Sequence, residues 1–167
     1  MELYRRENYL KKIRGFYHDS EMIKVITGVR RCGKSSLMQT IVEELKEQGV
    51  PEANLVFLDL DSKKHKSIKK PEQLEQEIDK LCSAEGMKYL FIDEIQNIIG
   101  FEEIINAYRG EKEYSVFITG SNSYLLSGEL ITKLTGRYIE IEMLPLSFEE
   151  YIDMKQYYGK NVSPNPT

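Results

Sequence analysis

Five short segments carry the apolar density expected of strands. They are residues 22–27, 54–60 (NLVFLDL), 88–93, 114–119 and 138–143. The central ones are apolar on both faces, which predicts strands covered from above and below. Longer segments with helical spacing separate them. Over 34–48, Leu37, Met38, Ile41, Val42 and Leu45 share one face, and Gly49 stops the helix. Over 71–84, Pro71 suits the first turn and Leu74, Ile78 and Leu81 mark the inner face. Residues 101–108 and 148–158 also read as helices. Residues 122–134 read as a helix broken at Gly128. Residues 2–14 are highly charged but carry Leu3, Tyr4, Tyr9, Leu10 and Ile13, a pattern for a helix laid against the core.

Strands alternating with helices predict an α/β fold with a parallel sheet and helices on both faces. Residues 1–158 are expected to form one domain, with 1–20 as a helical lead-in. Residues 159–167 (GKNVSPNPT) hold two prolines and few apolar side chains, so they read as a linker toward a further C-terminal domain.

The turn after the first strand is Gly28-Val-Arg-Arg-Cys-Gly33-Lys34-Ser35, a full match to GxxxxGK[ST]. It follows a strand and opens a helix, the context that gives this motif meaning. Glycines let the backbone curl until successive N–H groups face inward as a nest for phosphate oxygens. The helix start adds the positive end of its dipole. The Lys34 ammonium is expected on the β- and γ-phosphates, and the Ser35 hydroxyl on Mg²⁺. Gly28, Arg31, Cys32, Gly33 and Ser36 complete the candidate cofactor-binding set by their place in the loop. For the Arg30, Arg31 and Ser36 side chains structural or solvent contacts are the expected role, and for Cys32 that of a small filler.

The 88–93 strand ends in Asp93-Glu94. An aspartate there can hold Mg²⁺ through its water shell, and the glutamate after it can take a proton from an attacking water. A strand end meeting solvent is often acidic too, but the upstream phosphate loop favours the catalytic reading. The 114–119 strand runs into Thr119, Ser121 and Asn122. Ligands in open α/β sheets sit at the carboxyl ends of the strands. These residues are therefore expected beside the acidic pair, with Asn122 as the candidate for orienting the lytic water. Arg137 has two readings, an arginine finger acting on the γ-phosphate held by a neighbouring copy, or a salt bridge at the base of the last strand.

Composition narrows the setting. Hydrophobic residues make up 41% and charged residues 30%, the range of a globular domain. No apolar run approaches 18 residues, and the charged N-terminus has no signal-peptide core. Cys32 and Cys82 form no metal or disulfide pattern, which fits a reducing cytoplasm. The net charge of −4 argues against a surface built to embrace nucleic acid. Five lysines within residues 63–70 could grip a phosphate backbone, but a solvated loop is the expected role, so DNA is not the favoured partner. The absence of an NKxD motif favours ATP over GTP.

GVRRCGKSSLM, LFIDEIQNI and FITGSNSYLLSGELITKLTGRYIEIEMLPLSFEEY together resemble the ATPase half of bacterial and archaeal AAA-type ATPases. The resemblance spans about residues 1–155. Such proteins pair an N-terminal P-loop module with a distinct C-terminal domain. The resemblance implies a three-layer P-loop fold with an AAA+-like sheet of order 5-1-4-3-2. It also implies Gly33, Lys34 and Ser35 at phosphate and Mg²⁺, Asp93 at Mg²⁺, Glu94 as water activator, and a polar sensor within 120–122. Three functions compete: an ATPase motor or switch, a nucleotide-dependent binding module with slow hydrolysis, and a small-molecule kinase. Glu94 favours the first. A kinase would need an arginine-rich lid and a substrate pocket, and neither is evident.

Overall fold

The computed structural model describes residues 3–121 and 128–159. Five strands form one parallel sheet: β1 (Ile23–Gly28), β2 (Leu55–Asp59), β3 (Lys88–Asp93), β4 (Tyr114–Gly120) and β5 (Tyr138–Met143). Their order is β2-β3-β4-β1-β5, which is the expected order read from the other edge. The helices are α1 (Glu7–Ile13), α2 (Lys34–Glu47), α3 (Pro71–Leu81), α4 (Phe101–Gly110), α5 (Gly128–Lys133) and α6 (Phe148–Tyr157).

Alternation along each strand sorts side chains onto two faces. Ile23 and Val25 face one side with Leu58, Leu90, Ile92 and Ile118, under Leu74, Ile78, Phe101, Ile105 and Leu130 of α3, α4 and α5. Ile26, Phe91 and Phe117 face the other side, under Leu10, Ile13, Met38, Ile41 and Leu45 of α1 and α2. β3 and β4 are buried along their whole length, as central strands of a covered sheet must be. The edge strand β2 instead alternates buried and half-buried positions.

On the α1–α2 face, matched register aligns four side chains across four strands. Phe57, Phe91 and Phe117 stack, with ring centroids 6.1 and 4.5 Å apart. The row ends at Lys24, paired with Phe117 in register, whose ammonium lies 4.7 Å from that ring. Lys24 is fully buried, although it sits in the segment read as an apolar strand. Its Nζ donates to the Asp19 carbonyl at 2.6 Å and to Ser115 Oγ at 2.8 Å. Burial lowers its pKa from 10.5 to about 7.

Several boundaries differ from expectation. The lead-in is helical only over Glu7–Ile13, followed by a 3₁₀ turn at Arg14–Phe16, and residues 3–6 form a non-helical arm. Helix α3 ends at Leu81 rather than at residue 84. Among the described residues α5 begins at Gly128. Residues 122–127 and the tail 160–167 lie outside the described residues, as does the expectation made for each. No helix among the described residues is long and apolar enough to cross a membrane.

Candidate functional site

The turn between β1 and α2 is built around its glycines. A Cβ on Gly28 would lie 2.6 Å from the Met143 carbonyl oxygen and 2.7 Å from Cys32 Sγ, so no larger residue fits. Gly33, with φ of +100°, stands at the N-cap of α2. Between them Arg31 takes a left-handed φ of 66°, uncommon for a side-chain-bearing residue. Lys34 is buried, and its ammonium turns back across the loop to donate to the Gly28 and Val29 carbonyls, each at 2.9 Å.

The acidic pair stands at the end of β3, with β4 between it and β1. Asp93 is buried and accepts a short hydrogen bond from the Thr119 hydroxyl on β4. The same hydroxyl oxygen accepts the Glu94 N–H at 3.0 Å. Glu94 has a left-handed backbone, φ 61° and ψ 50°, an arrangement that costs energy and turns the chain sharply after Asp93. Its Oε2 accepts from Gln96 Nε2 at 2.5 Å and from Ser121 Oγ at 3.3 Å. Arg31, Gly33, Lys34, Ser35, Ser36, Asp93 and Glu94 line one cleft of about 260 Å³. The loop and the carboxylates, 59 residues apart in the chain, thus share one hollow.

Of the three polar residues expected beside that pair, Thr119 and Ser121 are in hydrogen-bond contact with it. Asn122 lies outside the described residues. Arg137 is at the far end of the molecule. The register pairs Ile23 with Tyr138 and Gly28 with Met143, so Arg137 is roughly 17 Å or more from the loop at about 3.3 Å per residue. It is 62% exposed, with Glu21 at 3.7 Å as an ion-pair partner. That position takes it out of its own cleft.

A second hollow of about 330 Å³ adjoins the loop, and sequence reasoning missed the walls that the N-terminal arm and the C-terminal part give it. The arm supplies Leu3, Tyr4 and Arg6, the loop Arg31, Cys32 and Gly33, α2 Leu37, and the C-terminal part Leu146, Met154 and Tyr158. Its polar atoms are partly spent on one another, as the Tyr4 N–H donates to Tyr158 Oη at 2.8 Å. Desolvation raises the Tyr4 pKa. The Leu3-Tyr4 pair is the available signal, but its spacing with Tyr9, Leu10 and Ile13 reads as a core-facing helix.

The lysine-rich loop folds into turns, with the His65 N–H donating to the Ser62 carbonyl and the Ile68 N–H to the His65 carbonyl. His65 and Ile68 turn inward while Lys63, Lys64, Lys66, Lys69 and Lys70 are exposed. The Asp61 carboxylate accepts from Asn97 Nδ2 at 2.7 Å, tying the base of this loop to the turn after Glu94.

Residues 20–152 match the model of a family described as "AAA domain". The chain is 43% identical over 151 residues to an uncharacterized protein of Haemophilus influenzae, covering 90% of this chain and 38% of the relative. It is 34% identical over 139 residues to an uncharacterized protein of Methanocaldococcus jannaschii, covering 83% of this chain and 30% of the relative. The chain therefore spans about a third of the length of these relatives. Among solved structures it superposes on the Saccharomyces cerevisiae Hsp104–ADP complex with a TM-score of 0.68 at 18% identity, covering 93% of this chain and 24% of that one. It superposes on AMPPCP-bound DnaA of Aquifex aeolicus with a TM-score of 0.61 at 16% identity, covering 97% and 55%. These two likenesses show the shared fold. With the family model matching most of its length, the chain belongs to the AAA domain family.

Proposed function

We propose that this chain binds ATP with Mg²⁺ and hydrolyses it, weakly when alone. The observation that carries the reading is the shared cleft, where the phosphate loop, the Lys34 ammonium, Ser35 and the Asp93-Glu94 pair line one hollow. The solved neighbours described with ADP and with AMPPCP are consistent with an adenine nucleotide.

The residues present suit Mg²⁺. Ser35 and Asp93 offer hard oxygen donors on the same hollow. No cluster of three His, Cys, Asp or Glu ligands occurs among the described residues. Mg²⁺ needs none, because it is bound through one or two protein oxygens, water and substrate phosphates. Bound there, it would neutralise charge on the β- and γ-phosphates. The chain's own groups do the rest in this reading. The loop N–H groups and Lys34 hold the phosphates. Glu94 accepts the proton of a water whose oxygen adds to the γ-phosphorus as the bond to the β–γ bridging oxygen breaks. Ser121 and Asn122 help place that water. The second hollow receives the adenine between Leu3, Tyr4, Met154 and Tyr158, with the face of the base against apolar side chains.

Partners follow from the same reading. Arg137 acts on the cleft of a second copy, and DNA is not the favoured partner. The unpaired cysteines fit a cytoplasmic setting. A specific observation favours a second reading, a nucleotide-dependent binding switch with little turnover. Both Gln96 and Ser121 hold Glu94 Oε2. Calorimetric titration with ATP and GTP, with and without Mg²⁺, tests binding on wild type and Lys34→Ala. Phosphate release tests turnover. We expect Mg²⁺-dependent ATP binding that Lys34→Ala abolishes or weakens severely. Unchanged affinity in Lys34→Ala would remove the phosphate-loop assignment.

A further inference from the structure

Arg6 precedes α1 on the non-helical arm, and its side chain is only 8% exposed. Its guanidinium joins three segments distant in sequence. Nη1 donates to the Cys32 carbonyl in the phosphate loop at 2.8 Å. Nη2 donates to the Leu144 carbonyl after β5 at 3.0 Å. Nε donates to Glu150 Oε2 on α6 at 3.0 Å, and Nη2 also reaches Glu150 Oε1 at 3.4 Å. The Tyr9 ring lies beneath it, 4.7 Å from the guanidinium carbon. Burial pushes the Glu150 carboxyl up, but hydrogen bonds from Arg6 and from the Ser147 backbone outweigh that and hold its pKa below the usual range.

The bond to Cys32 bears on the nest of N–H groups. In a trans peptide the carbonyl of one residue and the N–H of the next point in opposite directions. No cis peptide occurs among the described residues. With the Cys32 carbonyl drawn toward Arg6, the Gly33 N–H is turned the other way. Gly33, at φ +100°, lacks the side chain that would limit rotation of this peptide. A hydrogen bond from a charged donor supplies the missing restraint.

The other side of the clamp is α6. It has no buried residue, so little apolar packing holds it. Its seat depends on the Arg6–Glu150 pair, on Tyr158 Oη accepting the Tyr4 N–H, and on the Tyr4 and Tyr157 rings meeting edge to face 5.8 Å apart.

We propose that Arg6 is a positioning residue for phosphate: it fixes the Cys32–Gly33 peptide so that the Gly33 N–H serves the nest, and through Glu150 it links the seat of α6 to that peptide. This inference rests on the nucleotide-binding reading above. Lysine at this position keeps the charge but lacks the planar fork that spans Cys32, Leu144 and Glu150 at once. Glu150→Gln keeps an acceptor and removes the charge that holds the guanidinium in place.

The test is titration of wild type, Arg6→Lys, Arg6→Ala and Glu150→Gln with inorganic triphosphate and with ATP, both in Mg²⁺. Thermal melts confirm folding. Losing one charge-assisted hydrogen bond should weaken both ligands by about ten- to a hundredfold in Arg6→Lys, and by less in Glu150→Gln. The Gly33 amide resonance supplies a readout that simple loss of packing would not give. It should shift on ATP addition in wild type and stay unmoved in Arg6→Lys, and it decides where triphosphate alone binds too weakly to titrate. If Arg6→Ala does not fold, Arg6→Lys and Glu150→Gln carry the test. Triphosphate affinity and a Gly33 response equal to wild type in Arg6→Lys would overturn the inference, and a fall confined to ATP would leave Arg6 as a wall of the adenine hollow. A wild-type chain that binds neither ligand removes the nucleotide reading itself, and this inference with it.

Discussion

The Thr119 hydroxyl, fully buried on β4, donates to the carboxylate of Asp93 at the end of β3. Its oxygen also accepts the Glu94 N–H, so one hydroxyl sets both acidic residues. Thr119→Val should leave a buried carboxylate and a backbone N–H each short of a partner, costing about 1–3 kcal/mol. Thr119→Ser should recover most of that. Urea unfolding of the three proteins measures it, and a valine variant as stable as wild type would show that water replaces the hydroxyl without loss.

Glu94→Gln should retain ATP affinity within a few-fold and lose turnover. The amide keeps the shape that Gln96 and Ser121 hold, but it cannot take a proton. Paired titration and phosphate-release measurements check it. Wild-type turnover in the variant would mean that another group accepts the proton.

Lys24 gives a pH dependence whose sign follows from its lowered pKa of about 7. Between pH 7 and 10.5 the unfolded chain holds a proton on this lysine that the folded chain has given up. Stability should therefore rise with pH, by at most about 1.4 kcal/mol per unit. Below pH 7 both states are protonated and the burial cost is constant. Lys24→Met should be more stable than wild type at pH 7, with a smaller advantage at pH 9. Urea unfolding at the two values tests this, and parallel slopes for the two proteins would refute it.

ATP turnover per chain should be low in dilute protein and rise with concentration, and Arg137→Ala should abolish the rise while sparing ATP affinity. An arginine supplied from a neighbour contributes about 10³–10⁵ in rate. Turnover against concentration, paired with a sizing column, is the measurement. Fast turnover by a monomer would mean the catalytic set is complete within one chain.

The strands and the phosphate loop were legible in the sequence because their signals are local. Apolar runs of strand length, a glycine at each end of a turn and a lysine at the helix start can be read without knowing what lies nearby. Arg6 was not legible. It looks like one more charge in MELYRRENYLKK, and its partners Cys32, Leu144 and Glu150 are 26, 138 and 144 residues away. Lys24 was hidden for the opposite reason, since five apolar or small neighbours outvoted it and only the fold supplies Ser115 and the Asp19 carbonyl. Of the polar residues expected at the acidic pair, Thr119 and Ser121 touch it, and Asn122 lies outside the described residues. The direct contact with Asp93 falls to Thr119, because residue alternation and the β3–β4 register set its hydroxyl beside the carboxylate.

Arg137 and the phosphate loop stand at opposite ends of the parallel strands β1 and β5. That gives the molecule a head and a tail. Two copies packed side by side about a twofold axis perpendicular to the strands run antiparallel and could set Arg137 of each beside the loop of the other, whereas copies stacked end to end repeat one head-to-tail contact. Repeating that contact leaves an unsatisfied loop at one end of any open row of copies. If Arg137 serves the loop of a neighbour, an antiparallel pair or a closed ring would give every loop a guanidinium, and an open filament would always carry one cleft without it.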